Sequence, residues 1–337
     1  MRPDARRGLA AATIPAFSAP QEEPDTSAAP IRTRITDMLG IEKPIIQAAM
    51  GWIARSQLSS AVSNAGGMGI IETSSGELDA MREEIRKMKT LTDKPFGVNV
   101  AQAFVRDPDI VQFVIDQGIK FVTTSAGDPM KYTGMLKEAG LTVFHVVPSL
   151  SGAMRAIEAG VDGLIVEGGE GGGFKNPKDV ASMVLIPQVC EAVDVPVVAA
   201  GGIMDGRTMA AAFCLGAEGV LMGTRILSSA ESPVHQNWKD AIVAADSTDT
   251  VFLNRTGPGP ALRALRTDRT IRIQKEGVAN IVGEFAGTQQ VYFCGDLEAG
   301  IALTGQVAGR IKEVKPIAQI FEETVEEYHR VVAGLPR

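Results

Sequence analysis

Eight short apolar segments that alternate with longer amphipathic ones predict a parallel (β/α)8 barrel of the TIM type, followed by a small helical insertion. The segments are almost continuously apolar, which is typical of strands buried on both faces. Eight strand–helix units in succession are the number that closes a barrel. The predicted strands are Pro44–Met50, Met68–Thr73, Phe96–Val100, Phe121–Ala126, Thr142–Val147, Gly163–Gly168, Val195–Gly201 and Gly219–Thr224.

The spacers between these strands have a helical pattern, and Glu77–Thr90 places its apolar residues three and four apart. The alternative of a doubly wound dinucleotide fold fails at Ala65–Gly69. Those glycines precede a strand, whereas a dinucleotide fingerprint joins a strand to a helix N-terminus. A left-handed glycine is expected to end four of the helices just before the next strand, at Gly118, Gly140, Gly160 and Gly216.

The predicted barrel spans residues 31–230, and three further segments flank it. Residues 1–30 are rich in Ala, Pro and Ser and lack apolar periodicity, so we expect a disordered extension, with a targeting signal as the alternative. Residues 231–290 predict a mainly helical insertion next to the barrel mouth, and residues 291–337 predict helices that pack back on the barrel. These last helices are Ile301–Arg310 and Ile317–Val332.

The composition argues against several classes of protein. A net charge of −7 without a basic block argues against a nucleic-acid partner. The sequence has no apolar run long enough for a transmembrane helix, so no membrane association is expected. Three cysteines without CxxC spacing support neither a disulfide framework nor a metal site, and they fit a cytoplasmic protein. We expect a small-molecule substrate and leave the oligomeric state, a homodimer included, open.

Active sites of TIM barrels lie at the carboxyl ends of the strands, so the strand ends supply the candidate residues. Ala48, Ala49 and Met50 end the first strand, and the two alanines are small enough to let backbone approach a flat ring. Asn99 ends the third strand, and its amide both donates and accepts hydrogen bonds. These residues are therefore candidates for contact with the edge of a bound ring.

Two small-residue clusters on neighbouring strand ends predict a phosphate site. Gly201 and Gly202 end the seventh strand, and Gly223 and Thr224 end the eighth. Exposed backbone N–H groups in these turns, next to a helix N-terminus, suit a phosphate dianion, and Thr224 adds a hydroxyl. The alternative is that the glycines only terminate strands, but two clusters on adjacent strands favour the phosphate site.

Several motifs in order resemble the nitronate monooxygenase (2-nitropropane dioxygenase) family and the related flavin-dependent type II enoyl-acyl-carrier-protein reductases, over about residues 31–310. The resemblance implies non-covalent FMN at the strand ends, with its phosphate on the Gly202 and Gly223–Thr224 loops. It also implies that Gly305 and Gln306 approach the flavin. The motifs are ITDMLGIEKPIIQAAMGW, AVSNAGGMGII, LTDKPFGVNV, VTTSAGDPMKY, VVAAGGIMDG and VLMGTRIL.

The chain departs from this family at Phe174. Family members usually carry a histidine here, after the sixth strand, whereas this sequence reads Glu170-Gly171-Gly172-Gly173-Phe174. In a nitronate monooxygenase the histidine takes a proton from a neutral nitroalkane, a contribution of about 10²–10⁴-fold for general acid–base catalysis. Phenylalanine transfers no proton. An anionic nitronate, by contrast, does not need that base.

Two other residues are catalytic candidates in its place. His145 lies near the end of the fifth strand and is an acid–base candidate if it faces the mouth, or a packed, hydrogen-bonded histidine if it faces outward. Glu167 ends the sixth strand and is either an acid–base carboxylate or a cap for the glycine-rich loop. Arg225, Arg263 and Arg266 are candidates to meet an anion, with solvation at the surface as the ordinary alternative.

Two catalytic hypotheses follow from this resemblance. In the first, an alkyl nitronate reduces FMN directly and O2 reoxidises it. In the second, NADH or NADPH is a co-substrate, and hydride passes through FMN to an enoyl thioester, an enone or a quinone. A flavin-binding barrel without turnover is the non-enzymatic alternative.

Overall fold

The computed structural model describes residues 29–76, 78–107, 109–257, 259–278 and 280–336. Its strands, numbered in chain order, are β1 (Ile45–Gln47), β2 (Gly69–Ile71), β3 (Phe96–Ala101), β4 (Phe121–Ser125), β5 (Thr142–Val147), β6 (Gly163–Glu167), β7 (Gly173–Lys175), β8 (Val197–Ala200), β9 (Gly219–Met222), β10 (Thr250–Leu253) and β11 (Ala261–Leu265).

Its α-helices are α1 (Arg34–Leu39), α2 (Ser56–Asn64), α3 (Leu78–Leu91), α4 (Ile110–Asp116), α5 (Thr133–Glu138), α6 (Leu150–Glu158), α7 (Ser182–Cys190), α8 (Gly206–Cys214), α9 (Thr224–Leu227), α10 (Gln236–Ala244), α11 (Asp268–Glu276) and α12 (Ile317–Ala333). Short 3₁₀ turns cover Gln102–Phe104, Pro129–Lys131, Ile281–Gly287 and Gln306–Arg310, and a π-helical turn covers Gln290–Cys294.

The predicted barrel is confirmed, because eight parallel strands follow one another around one sheet in the order β1, β9, β8, β6, β5, β4, β3, β2. Ile46 of β1 lies opposite Leu221 of β9 and also forms a parallel bridge to Met68, next to β2. The two ends of the sheet therefore meet. All eight predicted strands are present, each within a few residues of the predicted bounds.

The core has two layers that follow the alternation of side chains along each strand. Phe121, Phe144 and Ile165 belong to the cluster that fills the barrel, whereas Val143 and Val147 belong to the cluster between the strands and the helices. This register decides which side chains of a strand face the interior.

Glycines end the helices as the sequence predicts, since four of them have φ between 69° and 98° just before a strand. These are Gly118, Gly140, Gly160 and Gly216. The predicted helix over 77–90 is α3, although Glu77 lies outside the described residues.

The closing helix α12 packs on the barrel helix α8 through direct backbone contact. A β-carbon on Gly206, the first residue of α8, would collide with the backbone of Tyr328 and Thr324. Phe321 of α12 is fully buried in the main core. The last helix, α12, therefore packs on the barrel at Gly206, a position where a glycine is required.

The segment 231–290 is mixed rather than mainly helical, which corrects the prediction. Helices α10 and α11 are present, but β10 and β11 form an antiparallel sheet with β7, the strand that contains Phe174. The predicted helix over Ile301–Arg310 is also wrong, since it contains only the short turn Gln306–Arg310. Gly305 and Gly309 pack closely against the backbone of other segments there.

The prediction for the N-terminal extension concerns residues 1–28, which lie outside the described residues. In the part of the chain that is described, no helix is long and apolar enough to cross a membrane.

Candidate active site

A cavity of about 1260 Å³ opens at the carboxyl ends of the barrel strands. It exceeds the roughly 300–1,000 Å³ typical of small-molecule sites, so it has room for a cofactor and a substrate together. Nine of the predicted cofactor-binding residues line it together: Ala48, Ala49, Met50, Asn99, Gly201, Gly202, Gly223, Thr224 and Gly305.

The two predicted phosphate turns lie next to each other in the cavity wall, because they follow the adjacent strands β8 and β9. Gly201 and Gly202 both adopt positive φ, at 85° and 81°. Within the described chain, no acceptor binds the N–H groups of Gly202, Gly223 or Thr224. Because α9 has only four residues, these turns rather than a helix dipole offer the donors. The donor set fits a phosphate group.

A C-terminal segment joins this site to the loop after β6. The N–H of Gly305 donates to the Thr224 hydroxyl at 2.9 Å, and the N–H of Gln306 donates to the carbonyl of Glu170 at 2.9 Å. The Gln306 side chain is exposed and does not line the cavity, so only Gly305 of the predicted pair lies at the site.

The part of the cavity wall that follows β1 and includes β3 contains the residues predicted to contact a ring. Asn99 is 4% exposed, and its amide donates to the Thr123 hydroxyl at 2.9 Å, which fixes its orientation. Ala49 is exposed to the cavity, while Trp52 lines it in a left-handed conformation with φ 60°. The indole N–H of Trp52 is buried without an acceptor among the described residues. This wall can therefore contact a flat polar ring.

His145 has the packed, hydrogen-bonded arrangement of the two alternatives. It shares the outer face of β5 with Val143 and Val147, and its Nδ1 lies 2.7 Å from the Thr124 hydroxyl. It is 4% exposed, and burial lowers its pKa from 6.5 to about 4. His145 borders the cavity but is neutral at pH 7.

Glu167 is paired rather than free. Its carboxylate accepts a hydrogen bond from Lys175 of β7, and the Lys175 side chain is 3% exposed. Glu170 of the glycine-rich loop contacts the start of α7, since its carboxylate accepts from the backbone N–H of Ser182 at 3.0 Å and from the Ser182 hydroxyl at 2.9 Å. Lys175 is a residue of the cavity wall that sequence reasoning missed.

Phe174 belongs to an aromatic cluster with Phe104 and Phe285. Its ring centroid lies 5.0 Å from that of Phe104, with the planes tilted by 54°, and 5.5 Å from that of Phe285, stacked at 18°. All three rings line the cavity. At the position where the family's histidine is expected, the cavity wall is thus apolar.

Arg263 holds the loop that carries this wall. It is 7% exposed, and its Nε donates to the carbonyl of Gly169 at 2.7 Å. Arg225 is also buried and donates to the carbonyl of Glu313 at 2.9 Å. Burial lowers the pKa of both guanidinium groups. The expectation of surface solvation is wrong for these two arginines, which bind the protein's own carbonyls.

A closed parallel barrel with its cavity at the carboxyl strand ends is the architecture of TIM-barrel enzymes. The family model of nitronate monooxygenase matches residues 32–111 and 101–327. The chain belongs to the nitronate monooxygenase family and is an oxidoreductase of that family, which confirms the resemblance in its ordered motifs. The described residues contain no cluster of three or more His, Cys, Asp or Glu placed to hold a metal ion.

Individual relatives are named for different activities. The chain is 33% identical over 341 residues to the (3aS,4S,5R,7aS)-5-hydroxy-7a-methyl-1-oxo-octahydro-1H-indene-4-carboxyl-CoA dehydrogenase of Mycobacterium tuberculosis, covering 88% of this chain and 95% of that protein. It is also 33% identical over 276 residues to a protein of Staphylococcus saprophyticus named probable nitronate monooxygenase, covering 68% of this chain and 78% of that protein.

Two solved structures are also similar to this chain. FabK from Thermotoga maritima is 42% identical with a TM-score of 0.85, and the match covers 90% of this chain and 98% of that one. Nitroalkane oxidase from Streptomyces ansochromogenes is 25% identical with a TM-score of 0.78, covering 90% of this chain and 100% of the other.

Proposed function

We propose that this protein is an FMN-dependent oxidoreductase that transfers hydride to or from an apolar acyl thioester. The observation that carries the proposal is the aromatic cluster of Phe104, Phe174 and Phe285, which replaces a proton-transfer group with an apolar wall inside the cavity. A reaction that begins by deprotonating a neutral nitroalkane lacks its base at this position.

The residues present fit FMN. The N–H groups of Gly202, Gly223 and Thr224, which have no acceptor among the described residues, would hold its phosphate. Ala49 and Trp52 border the space for its ring. When bound, FMN supplies two-electron hydride chemistry, and the protein supplies orientation and electrostatics. The role of the chain is to place an acyl group against the ring and to exclude water from it.

The thioester class is supported by both the cavity and the relatives. Apolar rings favour an apolar acyl portion, since each buried CH₂ contributes about 0.8 kcal/mol. The relative from Mycobacterium tuberculosis is named as the dehydrogenase of a CoA thioester. FabK is an enoyl-acyl-carrier-protein reductase, which also takes an acyl thioester. These relatives point to the same carrier chemistry.

Oxidation of an alkyl nitronate by O2 is the second candidate. The family model and the nitroalkane oxidase structure favour it. A nitronate is already anionic, so the absence of a histidine at Phe174 does not prevent its oxidation. The two candidates thus differ in the substrate that exchanges electrons with the flavin.

Anaerobic spectroscopy of the FMN-loaded protein tests the proposal. We expect NADH or NADPH to bleach the flavin absorbance and crotonyl-CoA to restore it. Bleaching by propyl-2-nitronate, with no response to crotonyl-CoA, would instead establish the second candidate. Phe174→His is the matched variant, because a gain of oxidation of neutral 2-nitropropane is expected only if residue 174 is the missing base position.

A further inference from the structure

Lys175 is the buried cation of the cavity wall. Of the described basic side chains that line the cavity, Arg106 is exposed, and Arg155 is 54% exposed and paired with Asp128. His145 is neutral at pH 7 because burial lowers its pKa to about 4. The Lys175 side chain, by contrast, is 3% exposed. It is thus the positive charge that a substrate inside the cavity meets away from solvent.

The ammonium group of Lys175 has unused hydrogen-bonding capacity. An ammonium has three donors, and the acceptor bound to it in the described chain is Glu167. Its other two N–H donors have no acceptor among the described residues. Gly171 makes the arrangement possible, since a β-carbon there would collide with both the Glu167 carboxylate and the Lys175 ammonium.

Phe174 and Lys175 are consecutive residues of β7, so their side chains leave opposite faces of the strand. Phe174 lies with Phe104 and Phe285, whereas Lys175 bonds Glu167 at the end of β6. Both residues nevertheless line the cavity, so an extended ligand there can contact an apolar surface and a fixed cation. An acyl thioester has the matching pair of groups, an apolar chain and a carbonyl oxygen.

We propose that Lys175 binds the thioester carbonyl oxygen and protonates the substrate, with Glu167 as the residue that positions its ammonium. This inference rests on the proposed function. Hydride added to the β-carbon of an enoyl thioester forms a C–H bond and moves the C=C electron pair onto the carbonyl oxygen as an enolate. A Lys175 N–H bond then breaks as its proton forms the α-C–H bond, and solvent returns the proton to Lys175. The substrate gains two electrons, which the reduced flavin loses.

A buried ion pair can also serve only to hold the loop between β6 and β7, so the test needs a ligand that senses charge. The acyl group of acetoacetyl-CoA forms an enolate, whereas the acyl group of butyryl-CoA has the same chain length and stays neutral. The role proposed for Lys175 predicts that the FMN-loaded protein binds acetoacetyl-CoA as the enolate, seen by its ultraviolet difference absorbance. A purely structural ion pair predicts no preference for that form.

Substitution then assigns the effect to one side chain. Lys175→Met is expected to weaken acetoacetyl-CoA binding roughly 10- to 100-fold, the value of a hydrogen bond to a charged group, and to leave butyryl-CoA binding unchanged. Lys175→Arg, which keeps the charge, should retain part of the preference. Lys178→Met is the matched control, since Lys178 is exposed and does not line the cavity.

Each outcome decides a specific point. Binding of both thioesters without an enolate signal in the wild-type protein, or an equal loss of both in Lys175→Met, would overturn the role of Lys175 alone. Binding of neither thioester would overturn the proposed function and this inference with it. The wild-type difference spectrum decides the question even if the methionine variant fails to fold.

Discussion

Phe174→Ala tests the apolar wall of the cavity through the dependence of binding on acyl chain length. The ring of Phe174 packs at 5.0 and 5.5 Å from its two aromatic neighbours and is half-buried. An acyl chain laid against it is therefore covered on one side. An octanoyl chain has four more CH₂ groups than a butyryl chain, and each contributes about half of 0.8 kcal/mol when it is half-covered. Together they contribute about 1.6 kcal/mol, or roughly 15-fold in Kd.

The assay compares the Kd of butyryl-CoA and octanoyl-CoA by flavin fluorescence in the wild-type protein and in Phe174→Ala. We expect a ratio of roughly 15 in the wild type and a ratio much nearer to one in the variant, because the half-covering surface is lost. Phe293→Ala is the matched control, since Phe293 is 39% exposed and does not line the cavity.

Phe174→Ala also removes a half-buried ring, so its stability is measured in parallel. A fully buried phenylalanine contributes about 3–5 kcal/mol, and half of that suggests a loss near 2 kcal/mol. A variant that stays folded but keeps the wild-type chain-length ratio would refute the role of the aromatic cluster. A change of similar size in Phe293→Ala would refute it as well.

Three further substitutions test the fold and the site. Burial lowers the pKa of His145 from 6.5 to about 4. As the pH falls, His145 is therefore protonated in the unfolded chain before it is protonated in the folded protein. Neutral His145 thus contributes up to about 3 kcal/mol to the free energy of unfolding above pH 6.5, and this contribution is lost as the pH falls towards 4. His145→Asn should flatten this dependence in urea unfolding. Gly206→Ala places a methyl group against the backbone of Tyr328 and should lower the free energy of unfolding by about 2 kcal/mol. Gly305→Ala brings a β-carbon to 3.0 Å from the carbonyl oxygen of Glu170, and the displaced segment should weaken FMN binding at least about tenfold.

Matched variants separate these effects from general damage. A pH dependence in His145→Asn equal to that of the wild type would refute the assignment to His145. Gly134 lies in α5 with open space where an alanine methyl group would stand, so Gly134→Ala should stabilise by about 0.5–1 kcal/mol. A neutral Gly206→Ala would contradict the close packing of α8 and α12. Unchanged FMN affinity in Gly305→Ala would contradict the role of the C-terminal segment.

The barrel was predictable because its strands are buried on both faces and therefore read as apolar runs in the sequence. The strand ends were less predictable. β1 stops at Gln47, where the chain turns and places Ala48, Ala49 and Met50 along the cavity. A small-residue run continues the apolar pattern whether the backbone is paired or not, so its pattern alone does not mark the end of the strand.

The small antiparallel sheet was not predictable from local pattern. β7 has only three residues and lies in a glycine-rich stretch, and its partner β11 lies almost ninety residues further along the chain. The sequence of β11, ALRAL, contains good helix formers, but all five of its residues are buried in the sheet. Tertiary pairing therefore overrode the helical propensity.

The assembly of the predicted phosphate turns and ring-contacting residues along one cavity was predictable, because strand order brings consecutive strand ends to one rim. The pairing of Glu167 with Lys175 was not, because the two residues lie on different strands that are separated by a glycine-rich turn. Phe104, Phe174 and Phe285 likewise come from three distant segments. The signal that was available was the replacement of the family's histidine by Phe174.

The most direct measurement of the central claim is a titration of flavin-free protein with FMN and with riboflavin, which lacks the phosphate. Three N–H donors at Gly202, Gly223 and Thr224, each worth about 1 kcal/mol, predict binding of FMN roughly 100-fold tighter than riboflavin. Equal affinity for the two flavins, or no binding of FMN, would contradict a phosphate site in these turns.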